Sequence, residues 1–327
     1  MTKKLFNIAR IVIALGLCYY LLQKIDIRAS FAKIKDVNLA FFGLGIVLFL
    51  IFLLICNLRW KILLDARGMQ FSFGYLLKVY FVSWFFNNIL PTTVGGDVLR
   101  VAYTVKKDDV TGQRSTTPPL AATFVDRFIG FIGLFFFASL ASLFLFLTKP
   151  GKNQFLLFNI IGFIILLIIL LALFSDKVHL IFSWIFARIK FFNLGPRFER
   201  AYAQVKEYRK VKLQLLYCFL LSFIVQVTLA LVWFTCAVGI KVTTSVSYYF
   251  LYIPVIGVLT MIPITIGGLG LRENLFVSFF TALGVEPDKA VAISILYLIV
   301  NLIFALLGGV AFLFIKREIQ AQKAGGK

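Results

Sequence analysis

Two arginines, Arg100 and Arg272, close decapeptides that share Pro, Thr, a β-branched residue, Gly-Gly, Leu and Arg at the same positions: PTTVGGDVLR at 91–100 and PITIGGLGLR at 263–272. A guanidinium is a planar fork of donors suited to the oxygens of a phosphate. Gly95–Gly96 and Gly267–Gly268 let the chain turn and let a ligand approach the backbone. A helix restarting after such a turn presents bare N–H groups and the positive end of its dipole, a ready site for an anion. Thr93, Thr265 and Asn88, with Asn87, Thr92 and Asn274, add polar groups able to satisfy a broken backbone or a head group. The chemistry indicated is recognition of an anionic group.

The acids nearby have two readings each. Asp97 either caps its helix and pairs with Arg100 at i,i+3, or belongs to the site. Its counterpart in the second copy is Leu269, and Glu273, adjacent to Arg272, points to a different face of a helix. Arg272 thus lacks a local partner in sequence and is the favoured anion contact. Asp126 and Arg127 sit well inside an apolar run, where charges are costly and are functional or mutually paired. They act either as a structural clamp on Arg100 or in substrate or proton handling. Asn301, deep in the last apolar run, is expected to hydrogen-bond another helix.

The elements that position these residues cross a membrane. Of 327 residues, 61% are hydrophobic and 17% aromatic, and mean hydropathy is +0.95. Residues 39–57 and 155–174 contain no charge and are long enough for a hydrocarbon layer of roughly 30 Å. Spans are expected at 5–22, 39–57, 118–147, 155–174, 212–237 and 289–315, with interrupted segments at 75–103 and 247–284. Residues 1–22 have a basic start and an apolar core but lack a small-residue cleavage site, so they read as a retained first helix. The 175–211 stretch opens with an interfacial HLIFSWIFARIKFF and ends with an amphipathic helix carrying Phe198, Tyr202 and Val205 on one face. The fold class is an all-α polytopic bundle: first helix and outer loop 1–38, repeat one 39–147, linker 148–211, repeat two 212–315, tail 316–327.

The net charge of +20 could suggest nucleic acid, but the basic residues lie in short loops between apolar segments, so anionic lipid head groups are the expected partner and nucleic acid is not. With the N-terminus inside and each interrupted segment returning to its own side, most of the 34 Lys and Arg fall inside. Arg59 and Arg67 count among these inside loop cations. Both termini are then cytoplasmic and the membrane is the cytoplasmic one. Cys18, Cys56, Cys218 and Cys236 have no ligand spacing, and His179 reads as a surface residue, so neither metal nor cofactor is expected.

In this topology the two repeats run in opposite senses. Inverted repeats with paired Pro/Gly-interrupted segments are the layout of transporters, whose substrate site those segments mark. Freed backbone groups cost several kcal/mol each against lipid, so such a break persists where protein, water or substrate satisfies them. The expected site lies between two re-entrant hairpins.

The runs NNILPTTVGGDVLR, AATFVDRFIG and IPITIGGLGLRENLF, followed by a final apolar helix, resemble the lysylphosphatidylglycerol synthase transmembrane-domain, or flippase-like, family over nearly the whole chain. In two-part members of that family, the membrane domain flips an aminoacylated phospholipid that a C-terminal soluble domain makes. No synthase half is expected here, so the resemblance implies lipid translocation or lipid binding. The motif residues it carries over are Asn88, Pro91, Gly95, Gly96, Asp97 and Arg100, then Asp126 and Arg127, then Pro263, Gly267, Gly268, Arg272 and Glu273.

Three functions follow. The first is flippase- or scramblase-like translocation of an anionic phospholipid or a polyprenyl-phosphate-type lipid. The second is a membrane-embedded head-group transferase, for which Asp97 with Asp126 is the acidic pair; the doublet Asp108–Asp109 reads as a solvated turn. The third is a non-transporting partner of a lipid-modifying enzyme.

Overall fold

The structure, a computed structural model, describes residues 33–90, 95–107, 114–148, 156–173, 202–261, 265 and 268–324, with side chains described except at 170–173, 261 and 316–324. The expected first helix 5–22, the interfacial stretch 179–192, and the motif residues Pro91, Thr92, Thr93, Pro263 and Gly267 lie outside the described residues.

The described chain is helical apart from one two-residue antiparallel ladder, β1 (Lys106–Lys107) against β2 (Arg114–Ser115). The helices are α1 (Leu39–Asp65), α2 (Phe73–Ile89), α3 (Gly95–Tyr103), α4 (Thr117–Thr148), α5 (Leu156–Leu173), α6 (Lys212–Gly239), α7 (Val246–Met261), α8 (Leu271–Thr281) and α9 (Pro287–Ala324). Among the described residues, α1, α4, α6 and the Pro287–Ile315 part of α9 are long and apolar enough to cross a membrane.

Local chemistry sets the helix ends. The Asn38 side chain accepts from Ala40 N at 3.0 Å and starts α1. Nothing between Asn57 and Gly68 breaks a helix, so α1 runs past the apolar run expected at 39–57 and on to Asp65. Gly68, at φ +71°, ends it: its N–H bonds Asp65 O, and Met69 N–H bonds Leu64 O, both at 3.0 Å. Pro118 and Pro119 occupy the first turn of α4, where a missing N–H costs nothing. Lys316 and Arg317, expected in a tail, continue α9, which stays helical to Ala324.

Contacts divide the chain into two compact units interleaved along the sequence. The first comprises Met1–Leu54, Leu77–Leu99 and Val225–Lys327. Its interior is aromatic: Trp233 stacks on Tyr297 at 4.1 Å and on Phe276 at 4.4 Å, and Phe276 stacks on Phe280 at 4.2 Å. Offset ring pairs of this kind add stability beyond the area they bury. Helix α9 comes so close to α2 that a Cβ on Gly308 would sit 2.0 Å from Phe81 O. Trp84 Nε1 donates to Asn301 Oδ1 at 2.9 Å, Asn301 Nδ2 donates to Asn88 Oδ1 at 2.7 Å, and Asn88 Nδ2 donates to Trp84 O at 2.8 Å. That closed ring gives Asn301 the interhelical role expected of it.

The second unit comprises Ile55–Leu76 and Arg100–Ile224. Here α4 and α5 run antiparallel, joined where Gly162 meets the Phe135 ring and where Asn159 Nδ2 donates to Ser142 Oγ at 2.7 Å. The segment 202–210 docks on the C-terminal part of α1. Tyr208 OH donates to Leu63 O at 2.9 Å, and Arg67 Nη2 donates to Gln204 Oε1 at 2.7 Å. Tyr202 and Val205, two of the three residues expected on one helical face, are both buried.

Candidate functional site

Both decapeptides interrupt a helix, but the helices restart at different points. In the first copy α3 begins at Gly95, so Arg100 lies in its last turn. In the second, Gly268 and Gly270 take φ +76° and +78°, a region that glycine enters without strain, and α8 begins only at Leu271. Arg272 is therefore in the first turn of its helix. Arg100 thus stands about one turn inside its helix, whereas Arg272 stands at the very start of its own.

Each interrupted pair folds back on itself. A Cβ on Gly96 would meet Ser83 O at 2.0 Å, so α3 starts in backbone contact with α2. Gly96 N also donates to Asn87 Oδ1 at 2.8 Å, which satisfies one of the N–H groups freed at the break. At the far end Tyr75 OH donates to Tyr103 O at 2.8 Å, so the chain returns to the end of α2 from which it set out. In the second copy, Tyr249 and Tyr252 near the start of α7 pack on Phe280 and Phe279 near the end of α8, at 4.6 and 5.0 Å.

The two most buried charges among the described residues, Arg100 and Asp126, lie in the second unit. Asp126 accepts from Arg59 Nε on Oδ1 at 2.7 Å and from Arg100 Nη2 on Oδ2 at 2.8 Å. Arg59, Arg100 and Asp126 are 6%, 2% and 1% exposed. Arg59 Nη1 also donates to Ser222 Oγ at 2.8 Å, and its guanidinium lies against Gly130, where a Cβ would come within 3.2 Å. The Arg100 guanidinium lies over the Trp60 ring, 4.3 Å from its centroid. Charge-assisted bonds of this length are about twice as strong as neutral ones, and they make a buried charge tolerable. Asp126 thus contacts Arg100, the geometry that the clamp reading requires. Arg127, next to it on α4, is half-buried.

Arg59 was missed by sequence reasoning, which counted it as a loop cation. The unbroken run from Asn57 to Gly68 was the signal that it stands on a helix. Asp97 is buried in the first turn of α3, at 4% exposed.

In the first unit, Arg272 donates through Nε and Nη2 to Glu273 Oε1, at 3.0 and 2.6 Å. Glu273 Oε2 accepts from Gly270 N at 2.7 Å, closing the start of α8. The expectation that Glu273 points away is overturned. With Gly270 outside the helix, Arg272 and Glu273 occupy the first turn, where side chains fold back across the helix end. Arg272 also lies over the Tyr297 ring, at 4.9 Å. Asn274 Nδ2 donates to Gly270 O at 2.7 Å. Thr265, in the break, is buried, and among the described residues its hydroxyl has no hydrogen-bond partner.

Apolar helices with exposed large hydrophobic side chains and with charges buried inside define a multi-pass helical membrane protein. Residues 7–309 match the family described as lysylphosphatidylglycerol synthase TM region, and the chain belongs to that family. It is similar to the UPF0104 membrane protein PH1989 of Pyrococcus horikoshii, with 26% identity covering 93% of this chain and 95% of the relative. It is also similar to the UPF0104 membrane protein MJ1595 of Methanocaldococcus jannaschii, with 22% identity covering 86% of each.

Proposed function

We propose that the protein moves a lipid with an anionic head group, a phospholipid or a polyprenyl-phosphate type, across the cytoplasmic membrane, with both termini on the cytoplasmic side. The observation that carries this reading is the sharing of Asp126 between Arg59 and Arg100. A carboxylate presents two oxygens to two guanidiniums, which is the arrangement a phosphate diester also offers, so the two arginines are matched to a head-group phosphate in place of Asp126. Two helix–break–helix hairpins, each carrying an arginine on the helix that follows its Gly-rich break, support the same reading, as does membership of a lipid-handling membrane family. In the first unit, Arg272 beside Glu273 is a further candidate anion contact, with Asn88, Gly95, Gly96, Asp97 and Gly268 at or near the breaks; in the second, Arg127 adjoins Asp126. Thr93 and Gly267 complete the motif. A lipid-modifying enzyme is the natural partner of such a carrier.

Proteoliposomes with head-group-labelled lipids test the reading. Faster loss of label to an outside quencher than in protein-free vesicles, for at least one anionic lipid, supports it. Equal rates across phosphatidylglycerol, cardiolipin and polyprenyl phosphate, with folded protein present, overturn it.

A further inference from the structure

The second unit contains a cavity of about 250 Å3 lined by Ile129 and Ile132 of α4, Phe163 and Leu167 of α5, and Leu215 and Phe219 of α6. Every lining side chain is apolar. A cavity of that character stays dry, and one of roughly 150 Å3 already takes up a benzene-sized guest. Its walls offer a water no hydrogen-bond partner, so hydrocarbon is the favoured occupant.

The position of the cavity says which hydrocarbon. Gly162 against Phe135, and Asn159 with Ser142, hold α5 tightly to α4 at one end; the cavity opens farther along, toward the start of α4, where α6 joins them. Leu167 is both a wall and 37% exposed, so the cavity reaches the surface there. That surface is apolar: Ile164, Ile168, Leu216 and Leu220 are all more than 40% exposed. On α4 the wall residue Ile129 follows Asp126 by one turn, and on α6 Phe219 precedes Ser222 by one turn, so two walls of the cavity carry members of the arginine–aspartate cluster.

We propose that this cavity seats part of a hydrocarbon chain of the carried lipid, one helical turn from the charged cluster that takes its head group. The inference rests on the translocation reading for the identity of the lipid, but the chain site has its own readout. A chain lodged between α4, α5 and α6 keeps a lipid beside the cluster while its phosphate exchanges with Asp126. It also fixes the depth at which the head group is presented.

The test uses the full chain in phosphatidylethanolamine vesicles containing phosphatidylglycerol with a photoactivatable diazirine near the ester end of one acyl chain, the part that lies within about one helical turn, ~5 Å, of the head group. After illumination, peptide mapping is expected to place adducts on Phe163, Leu167 or Phe219 in excess over the exposed Ile164 and Ile168. Leu167→Trp, at a half-open position that tolerates the larger ring, fills the cavity and is expected to abolish the excess on Phe163 and Phe219. Ile168→Trp, which faces outward at 59% exposed, leaves it unchanged. Adducts confined to the exposed faces, or an excess that survives Leu167→Trp, overturn the proposal. The two readings fail separately: cavity adducts without lipid flip sink translocation and keep the chain site, and flip without cavity adducts does the reverse.

Discussion

Asp126 and Arg100, 26 positions apart, meet at 2.8 Å where neither is more than 2% exposed, and the same carboxylate holds Arg59 at 2.7 Å. Removing Asp126 takes one carboxylate away from two buried cations, whereas removing Arg100 leaves the pair with Arg59 standing. Breaking a buried ion pair from one side costs about 3–5 kcal/mol. Asp126→Asn is therefore expected to lower the melting temperature in detergent clearly more than Arg100→Gln does. Equal losses would contradict the shared-carboxylate geometry.

Gly96 is held by shape rather than charge. A methyl there would come 2.0 Å from Ser83 O, a backbone atom that cannot swing aside. Gly96→Ala is expected to cost about 1–3 kcal/mol through overpacking of α2 against α3. Gly43→Ala, with nothing within 4 Å, should instead be neutral or slightly stabilising, as alanine is the better helix former. Thermal unfolding of both variants checks the contrast.

Much of this architecture is legible in the sequence. Uncharged runs locate the long helices, because a membrane leaves few alternatives for twenty apolar residues. The repeated Gly-Gly breaks mark where α2 gives way to α3 and α7 to α8. Identical motif letters nonetheless conceal different helix starts. Whether glycine begins a helix or adopts positive φ before it depends on the side chains that satisfy the freed N–H groups: Asn87 in one copy, Glu273 in the other. Arg59 shows a further limit. Its type and its place after an apolar run suit an interfacial cation, and only the opposing carboxylate on α4, 67 positions away, gives it a buried role.

Arg272 makes its contacts through shape as well as charge, with two nitrogens on Glu273 Oε1 and a face over Tyr297. Arg272→Lys keeps the charge but loses the fork and the stacking face. It is expected to cost about 1.5–3 kcal/mol, in the range of one hydrogen bond to a charged group, and to slow lipid flip. Unchanged melting temperature and flip rate would show that charge alone suffices.

Glu207 gives a pH-dependent contact outside the membrane. A hydrogen bond from Lys210 at 2.8 Å, with the charges of Lys210 and then Arg67, holds its carboxyl below the usual glutamate range. A depressed folded value means that the contact contributes above the ordinary range near 4.3 and is lost as pH falls through the lower, folded value. Hydrogen exchange of residues 202–210, corrected for intrinsic rate, should stay flat from pH 7 to about 5 and rise below about 4. Glu207→Gln should remove that step. Because Glu207 is 38% exposed, high salt should weaken it too.

The central claim is that the buried arginines carry a lipid head group, and the most direct measurement is the flip rate of labelled anionic lipid in proteoliposomes containing wild type, Arg59→Gln, Arg100→Gln or Ile168→Trp, each checked for fold by melting temperature. The account predicts flip by wild type and Ile168→Trp, and a tenfold or greater loss in either arginine variant, equivalent to about 1.4 kcal/mol or more. Arginine variants that stay folded and flip lipid at the wild-type rate would contradict it.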